Sequence, residues 1–167
     1  MNEFMEALIS KRRNTLIPEE KDYFGSLVGE WDFDWTDRIG TKEERHVKGE
    51  WIFSRILDGM GIQDVFICPS RKERRTRHEP DEEYGTTLRI YNPATGNWEI
   101  CYCCPGEYTR LEAVKEADKI VLTEKEHGRM KWIFSEIEEN SFHWQNVTLG
   151  EDGGWGVCCD CRAARRR

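Results

Sequence analysis

No run of apolar residues in this chain is long enough to cross a bilayer, and the N-terminus, MNEFMEALISKRRN, lacks the apolar stretch of a signal peptide. The expectation is a cytoplasmic protein with no membrane partner. A basic excess is lacking too. The net charge is −7, and a phosphate backbone is bound by a basic face, so no nucleic-acid partner is expected. The basic run RKERRTRH at 71–78 is answered at once by Glu79, Asp81, Glu82 and Glu83, and reads as a solvated loop. Histidine is scarce, with four in all. His78 and His127 fall in turns, while His46 and His143 fall on strands, and no Ser/His/Asp or Cys/His set assembles. Helices between the strands are also missing, which excludes a parallel sheet with its crossovers. There is no internal repeat.

Tryptophan is abundant instead, seven residues in 167, enough for a sizeable core or an aromatic-lined cavity. Phe4, Met5, Leu8 and Ile9 recur at helical spacing, so a short amphipathic helix is expected before Lys11. Pro18, Glu19 and Glu20 suit the first turn of a second helix, ending between Gly25 and Gly29. After Gly29 the period becomes two: Trp31, Phe33 and Trp35 alternate with polar residues. Strand-like runs follow at 46–57, 60–67, 84–91, 97–104, 109–115, 119–124, 129–136, 141–149 and 154–163, separated by turn signals such as Asp58-Gly59 and Pro105-Gly106. Such a meander closes to remove its edges. The predicted fold is all-β, an antiparallel up-and-down barrel of about eight to ten strands with short N-terminal helices. Residues 1–26 form a closing helical segment and 27–165 the barrel. The charged stretch 68–83 reads as a lid or a disordered segment, disorder being the plainer reading.

Gly29-Glu30-Trp31, at the helix-to-strand junction of LVGEWDFDW, resembles the G-x-W signature of the calycin group, which includes lipocalins and fatty-acid-binding-like barrels. KGEWIFSRILDGMGIQDVF (48–66), YGTTLRIYNPATGNW (84–98) and GRMKWIFSEIEENSFHW (128–144) resemble bacterial lipocalin-like domains of unknown function. The resemblance implies that Trp31 closes one end of a barrel and that a basic residue of the last strand lies across it, with Arg162 the matching candidate. It implies a pocket but no reaction. CYCC (101–104) and CCDC (158–161) depart from that pattern.

Those clusters raise the question of metal or redox chemistry. On a strand, neighbours point to opposite faces, so Cys101 and Cys103 share a face opposite Cys104, and Cys159 and Cys161 one opposite Cys158. A structural zinc needs four converging ligands, and adjacent strand cysteines make poor disulfides. The cysteines therefore read as small strand hydrophobes, free in a reducing compartment, with no metal and no cofactor expected.

Hairpin registers give the inward face. If Leu57 faces Met60, then Trp51, Phe53 and Arg55 share a side with Ile62, Asp64 and Phe66. An interior Arg55–Asp64 pair is then expected, because an unpaired buried charge is costly. If Tyr91 faces Trp98, Arg89 and Tyr102 join them, with Cys104 inside and Cys101 and Cys103 outside. If Phe134 faces Trp144, Trp132 faces Asn146. The expected ligand-binding set is thus Trp51, Arg55, Asp64, Arg89 and Tyr91 with Trp98, Tyr102, Trp132, Trp144 and Asn146. The leading reading is a cavity for a small, partly apolar molecule, the two arginines favouring an anionic head. Alternatives are a cofactor-independent enzyme using Asp64, Glu50, Tyr102 or His143, a filled barrel acting as a structural or homodimer module, and a haem site on His143. No motif fixes a catalytic residue, and whether a reaction is catalysed stays open.

Overall fold

A computed structural model describes all 167 residues. Helix α1 (Glu3–Leu8) is capped by Asn2, whose side chain accepts from the Met5 N–H at 2.9 Å. It buries none of its residues, and Phe4 is 69% exposed. Strand β1 (Ile9–Ser10) follows directly. The second expected helix is reduced to two 3-10 turns, Glu19–Lys21 and Gly25–Leu27. Ile17, Phe24 and Leu27 of this segment are all buried in the core, and the two short turns carry the chain across the end of the barrel.

Ten strands then run as a meander: β2 (Gly29–Asp37), β3 (Arg45–Ile56), β4 (Gly61–Cys68), β5 (Glu83–Asn92), β6 (Asn97–Cys104), β7 (Glu107–Glu116), β8 (Lys119–Glu124), β9 (Met130–Ser135), β10 (Ser141–Leu149) and β11 (Trp155–Arg165). Each pairs antiparallel with its chain neighbours, and β11 pairs back onto β2, so the sheet closes. β1 extends the edge of β3 past the end of β2, with Ile9 opposite Ile56. The hairpin registers are those read from the turns: Trp51 faces Phe66, Tyr91 faces Trp98, and Phe134 faces Trp144. No helix is long and apolar enough to cross a membrane.

The alternation sorts the side chains. Trp31, Phe33 and Trp35 of β2 are buried while Glu30, Asp32 and Asp34 are exposed. The inward residues form one aromatic core, in which Trp51 touches Phe33, Phe53, Phe66, Phe134, Phe142 and Trp144 at centroid distances of 5.1–6.1 Å. The strand directions give the barrel two ends. The closed end holds residues 11–28 and the turn at 57–60. The open end holds the connections 38–44, 69–82, 105–106, 125–129 and 150–154.

At the closed end the Trp31 indole donates to Leu27 O at 2.8 Å, and Trp98 donates to Lys21 O at 2.8 Å. The cation across Trp31 is Arg165, its guanidinium 4.1 Å from the ring centroid and bonded to the carbonyls of Val28 and Ser26. Arg162, the expected residue, is one face out: it pairs in register with Asp34 and binds Glu136 on the outer surface. The interior charges are also partnered differently from expectation. Arg55 reaches down to Asp22 at 2.6 Å, and Asp64 pairs with Arg89 at 2.7 Å. Arg89 is diagonal to Asp64, one pleat beyond its register partner Thr87, and is stacked between Phe24 and Phe53. Gly25 makes room for the Arg55–Asp22 pair, since a Cβ there would lie 2.5 Å from the Arg55 guanidinium.

The 68–83 stretch carries the short helix α2 (Arg71–Arg74) and makes ion pairs with the barrel wall. Glu50, outward-facing yet only 8% exposed, accepts from Arg71 at 2.9 Å and Arg166 at 2.9 Å. Arg45 binds Glu79 at 2.9 Å, and Arg38 binds Asp81 at 2.9 Å.

These pairs govern how stability responds to pH and to substitution. Hydrogen bonds from Arg71, assisted by Arg166, hold the Glu50 carboxyl down to about 2. A depressed carboxylate stabilises the fold above its unfolded pKa and ceases to do so as pH falls through the folded value. Glu50→Gln should therefore cost about 2 kcal/mol near neutral pH in urea unfolding, and the difference should close toward pH 2. Arg89→Leu strands a buried Asp64 carboxylate and should cost about 3–5 kcal/mol in the same measurement.

Candidate functional site

The open half of the barrel contains a cavity of about 160 Å³. Its walls are Trp35 of β2, Trp51 of β3, Phe66 of β4, Tyr102 of β6, Trp132 of β9 and Trp144 of β10. Glu83, Thr87, Glu107, Met130, Asn146 and Cys159 complete it. Trp35 and Trp144 stack at 5.6 Å with planes 25° apart, and Trp132 meets Trp144 at 5.8 Å and Tyr102 at 5.4 Å.

The hydrogen-bonding state of these rings differs. Trp35 donates its indole N–H to Asp37 at 2.9 Å. The indole N–H groups of Trp51, Trp132 and Trp144 have no partner, and neither does the Asn146 side-chain oxygen. Asn146 sits where the β10–β11 register shifts: it faces Cys159 while Val147 faces Val157, leaving Cys158 as the extra residue of a β-bulge. Bulges of this kind re-aim side chains beside sites.

One corner of the cavity is acidic. The Tyr102 hydroxyl donates to Glu83 Oε1. Glu83, Cys104 and Glu107 present ligand atoms that all lie within 4.8 Å of one another. Burial pushes the Glu83 carboxyl above its ordinary range, and Glu107 adds to the rise, while the Tyr102 hydrogen bond and Arg45 oppose it. Burial, the Glu83 charge and the bond to it drive the Tyr102 phenol far above 10. Gly85, one pleat along from Glu83, gives the ring its space: a Cβ there would lie 2.6 Å from Tyr102 Cζ. The rim is braced through Trp35, Asp37, Arg45 and Glu79, each bonded to the next at 2.6–2.9 Å.

Of the residues expected to line a ligand site, Trp51, Tyr102, Trp132, Trp144 and Asn146 come together around this cavity. Arg55, Asp64, Arg89, Tyr91 and Trp98 do not line it. Arg55 is paired with Asp22 and Asp64 with one terminal nitrogen of Arg89, whose other two nitrogens have no partner, and Tyr91 and Trp98 pack at 5.5 Å near the closed end. Glu50 is bound by arginines outside the barrel. His143 faces outward to Asp160 at 2.5 Å, away from any haem position in the interior. Cys101 and Cys103 lie on the outer wall opposite Leu88 and Thr86. Sequence reasoning missed Glu83, which closes the acidic stretch of 79–83. The usable signal was Gly85-x-Thr87-x-Arg89, whose alternation extends inward-facing positions back to Glu83.

No protein-family profile and no curated protein matches the chain. Solved structures do. The crystal structure of Rv2717c from M. tuberculosis aligns with a TM-score of 0.60 at 11% identity, covering 93% of this chain and 100% of that one. The S-type phycobiliprotein lyase CPES from Guillardia theta aligns with a TM-score of 0.60 at 10% identity, covering 91% and 95%. The fold is a lipocalin-like barrel. In this lipocalin-like barrel, the tryptophan–cation contact seals the closed end and the indole-lined cavity occupies the open one.

The acidic corner should be visible in the response to pH. A carboxyl whose folded pKa is raised loses its stabilising contribution as pH rises. Glu83→Gln should therefore gain stability relative to wild type as the pH rises above the ordinary 4.5. Tyr102→Phe removes a bond to the ionised form, so carbon-detected NMR should show Glu83 titrating still higher.

Proposed function

We propose that the chain binds one small, partly apolar molecule in the open-half cavity. The carrying observation is the set of buried polar groups without partners: three indole N–H donors and one amide oxygen, all on residues that line a single space. Each unmet group costs about 1–3 kcal/mol, so a core built only for packing would have little use for four of them. An occupant that meets them recovers that energy. Its size is bounded, since an apolar cavity of about 150 Å³ holds a benzene-sized ring. The occupant therefore presents about one ring to the indoles, with polar atoms at its edge. The barrel shared with the phycobiliprotein lyase supports this reading at the level of fold. An anionic head finds no support: Arg55 and Arg89 are paired with aspartates and lie outside the cavity.

The seven tryptophans provide the assay. In proton–nitrogen NMR, one-ring fragments such as phenol or catechol should shift the side-chain N–H signals of Trp51, Trp132 and Trp144. Those of Trp31 and Trp98, bonded to backbone carbonyls at the closed end, should stay in place. Shifts spread evenly over all seven, or none at millimolar fragment, would overturn the proposal.

A further inference from the structure

The cavity is unbalanced in charge. Its lining includes two carboxylates, Glu83 and Glu107, and no lysine, arginine or histidine. Arg45, at the rim, commits its guanidinium to Asp37 and Glu79. Glu107 receives only the Thr109 hydroxyl at 3.2 Å and the weak Cys104 thiol at 3.7 Å. Asn146 contributes an oxygen with no donor. The cavity is therefore rich in acceptors, with two of them gathered in one corner, and positive side chains are absent from its lining. Most of the remaining wall is aromatic, and the face of an aromatic ring carries the negative end of its quadrupole, which attracts cations most strongly when both partners are desolvated.

Resting on the reading that the cavity holds a one-ring molecule, we infer that its occupant is an aromatic amine in the ammonium form. The ring lies among the indoles, and an acceptor atom on it meets their free N–H groups. The ammonium group sits at Glu83 and Glu107. A carboxylate of the same shape places its charge against two like charges and is rejected.

Proton linkage sharpens the distinction. Glu83 is faced by the Tyr102 hydroxyl from β6, the neighbouring Cys104 thiol, Glu107 from β7 and Arg45 from β3. Because burial holds its proton on to higher pH, an ammonium ligand competes with that proton and binds better as the pH rises. An anionic ligand, by contrast, binds better as the pH falls.

Three probes that differ only in head group test this: tyramine (cation), tyrosol (neutral) and 4-hydroxyphenylacetate (anion). Calorimetry and the indole N–H signals should show tyramine binding about tenfold more tightly than 4-hydroxyphenylacetate, with tyrosol between. Tyramine affinity should rise between about pH 5 and about pH 7, where its own amine stays charged. Glu107→Gln, at an exposed position, and Glu83→Gln should each reduce the preference toward that of tyrosol. If 4-hydroxyphenylacetate shifts the cavity indoles and binds as tightly as tyramine, the amine assignment is wrong and the binding site stands. The amine assignment fails in the same way if both glutamine variants keep the full preference. If none of the three moves those signals, the binding site itself is wrong and the amine assignment falls with it.

Discussion

Everything in this barrel depends on the pairing of its last strand with its first. From Cys159 opposite Asp37 to Arg165 opposite Trp31, β11 lies antiparallel along β2 and converts a meander with two raw edges into a ring. Closure decides which face of every strand is inside, because a one-residue slip anywhere would turn an aromatic wall outward. The seam is reinforced where it matters. Arg165 covers the Trp31 ring, donates its two terminal nitrogens to the carbonyls of the segment that plugs the closed end and its Nε to Glu139 O in the β9–β10 turn. One side chain thus joins the first strand, the last strand and the N-terminal plug.

Much of this was legible in the residues, for a specific reason. Period-two alternation and short turns are local, and together they set registers: Asp58-Gly59 fixes the Trp51–Phe66 pairing, and Asn92 to Gly96 fixes Tyr91 opposite Trp98. What was not legible depended on contacts between distant parts of the chain. Asp22 lies in the stretch expected to be a second helix, far from β3 in the chain, so nothing local announced that it would take Arg55 away from Asp64. Arg162 and Arg165 share a strand end rich in arginine. The parity of Cys161 and Ala163, both inward, would have selected Arg165.

The candidate site was half legible on the same grounds. Its tryptophans and Asn146 come from strands with clear alternation. Glu83 and Glu107 come from the first positions of strands whose starts were placed later than they are, at 84 and at 109. The bulge at Cys158 has no signature in the sequence, yet it adjusts the strand facing Asn146.

The interior is therefore two compartments stacked along one axis. In the lower one each charge has its counter-charge and the polar ends of Trp31 and Trp98 are bonded to backbone, with two Arg89 nitrogens left over against the rings of Phe24 and Phe53. In the upper one, polar atoms stand without mates. Such a division lets lineages retailor the mouth of the vessel while its base goes on guaranteeing the shape. Substitutions at the half-buried Trp132 and the exposed Glu107 can alter the guest at small risk to the scaffold, whereas Trp51, packed against six other rings, belongs to vessel and mouth alike.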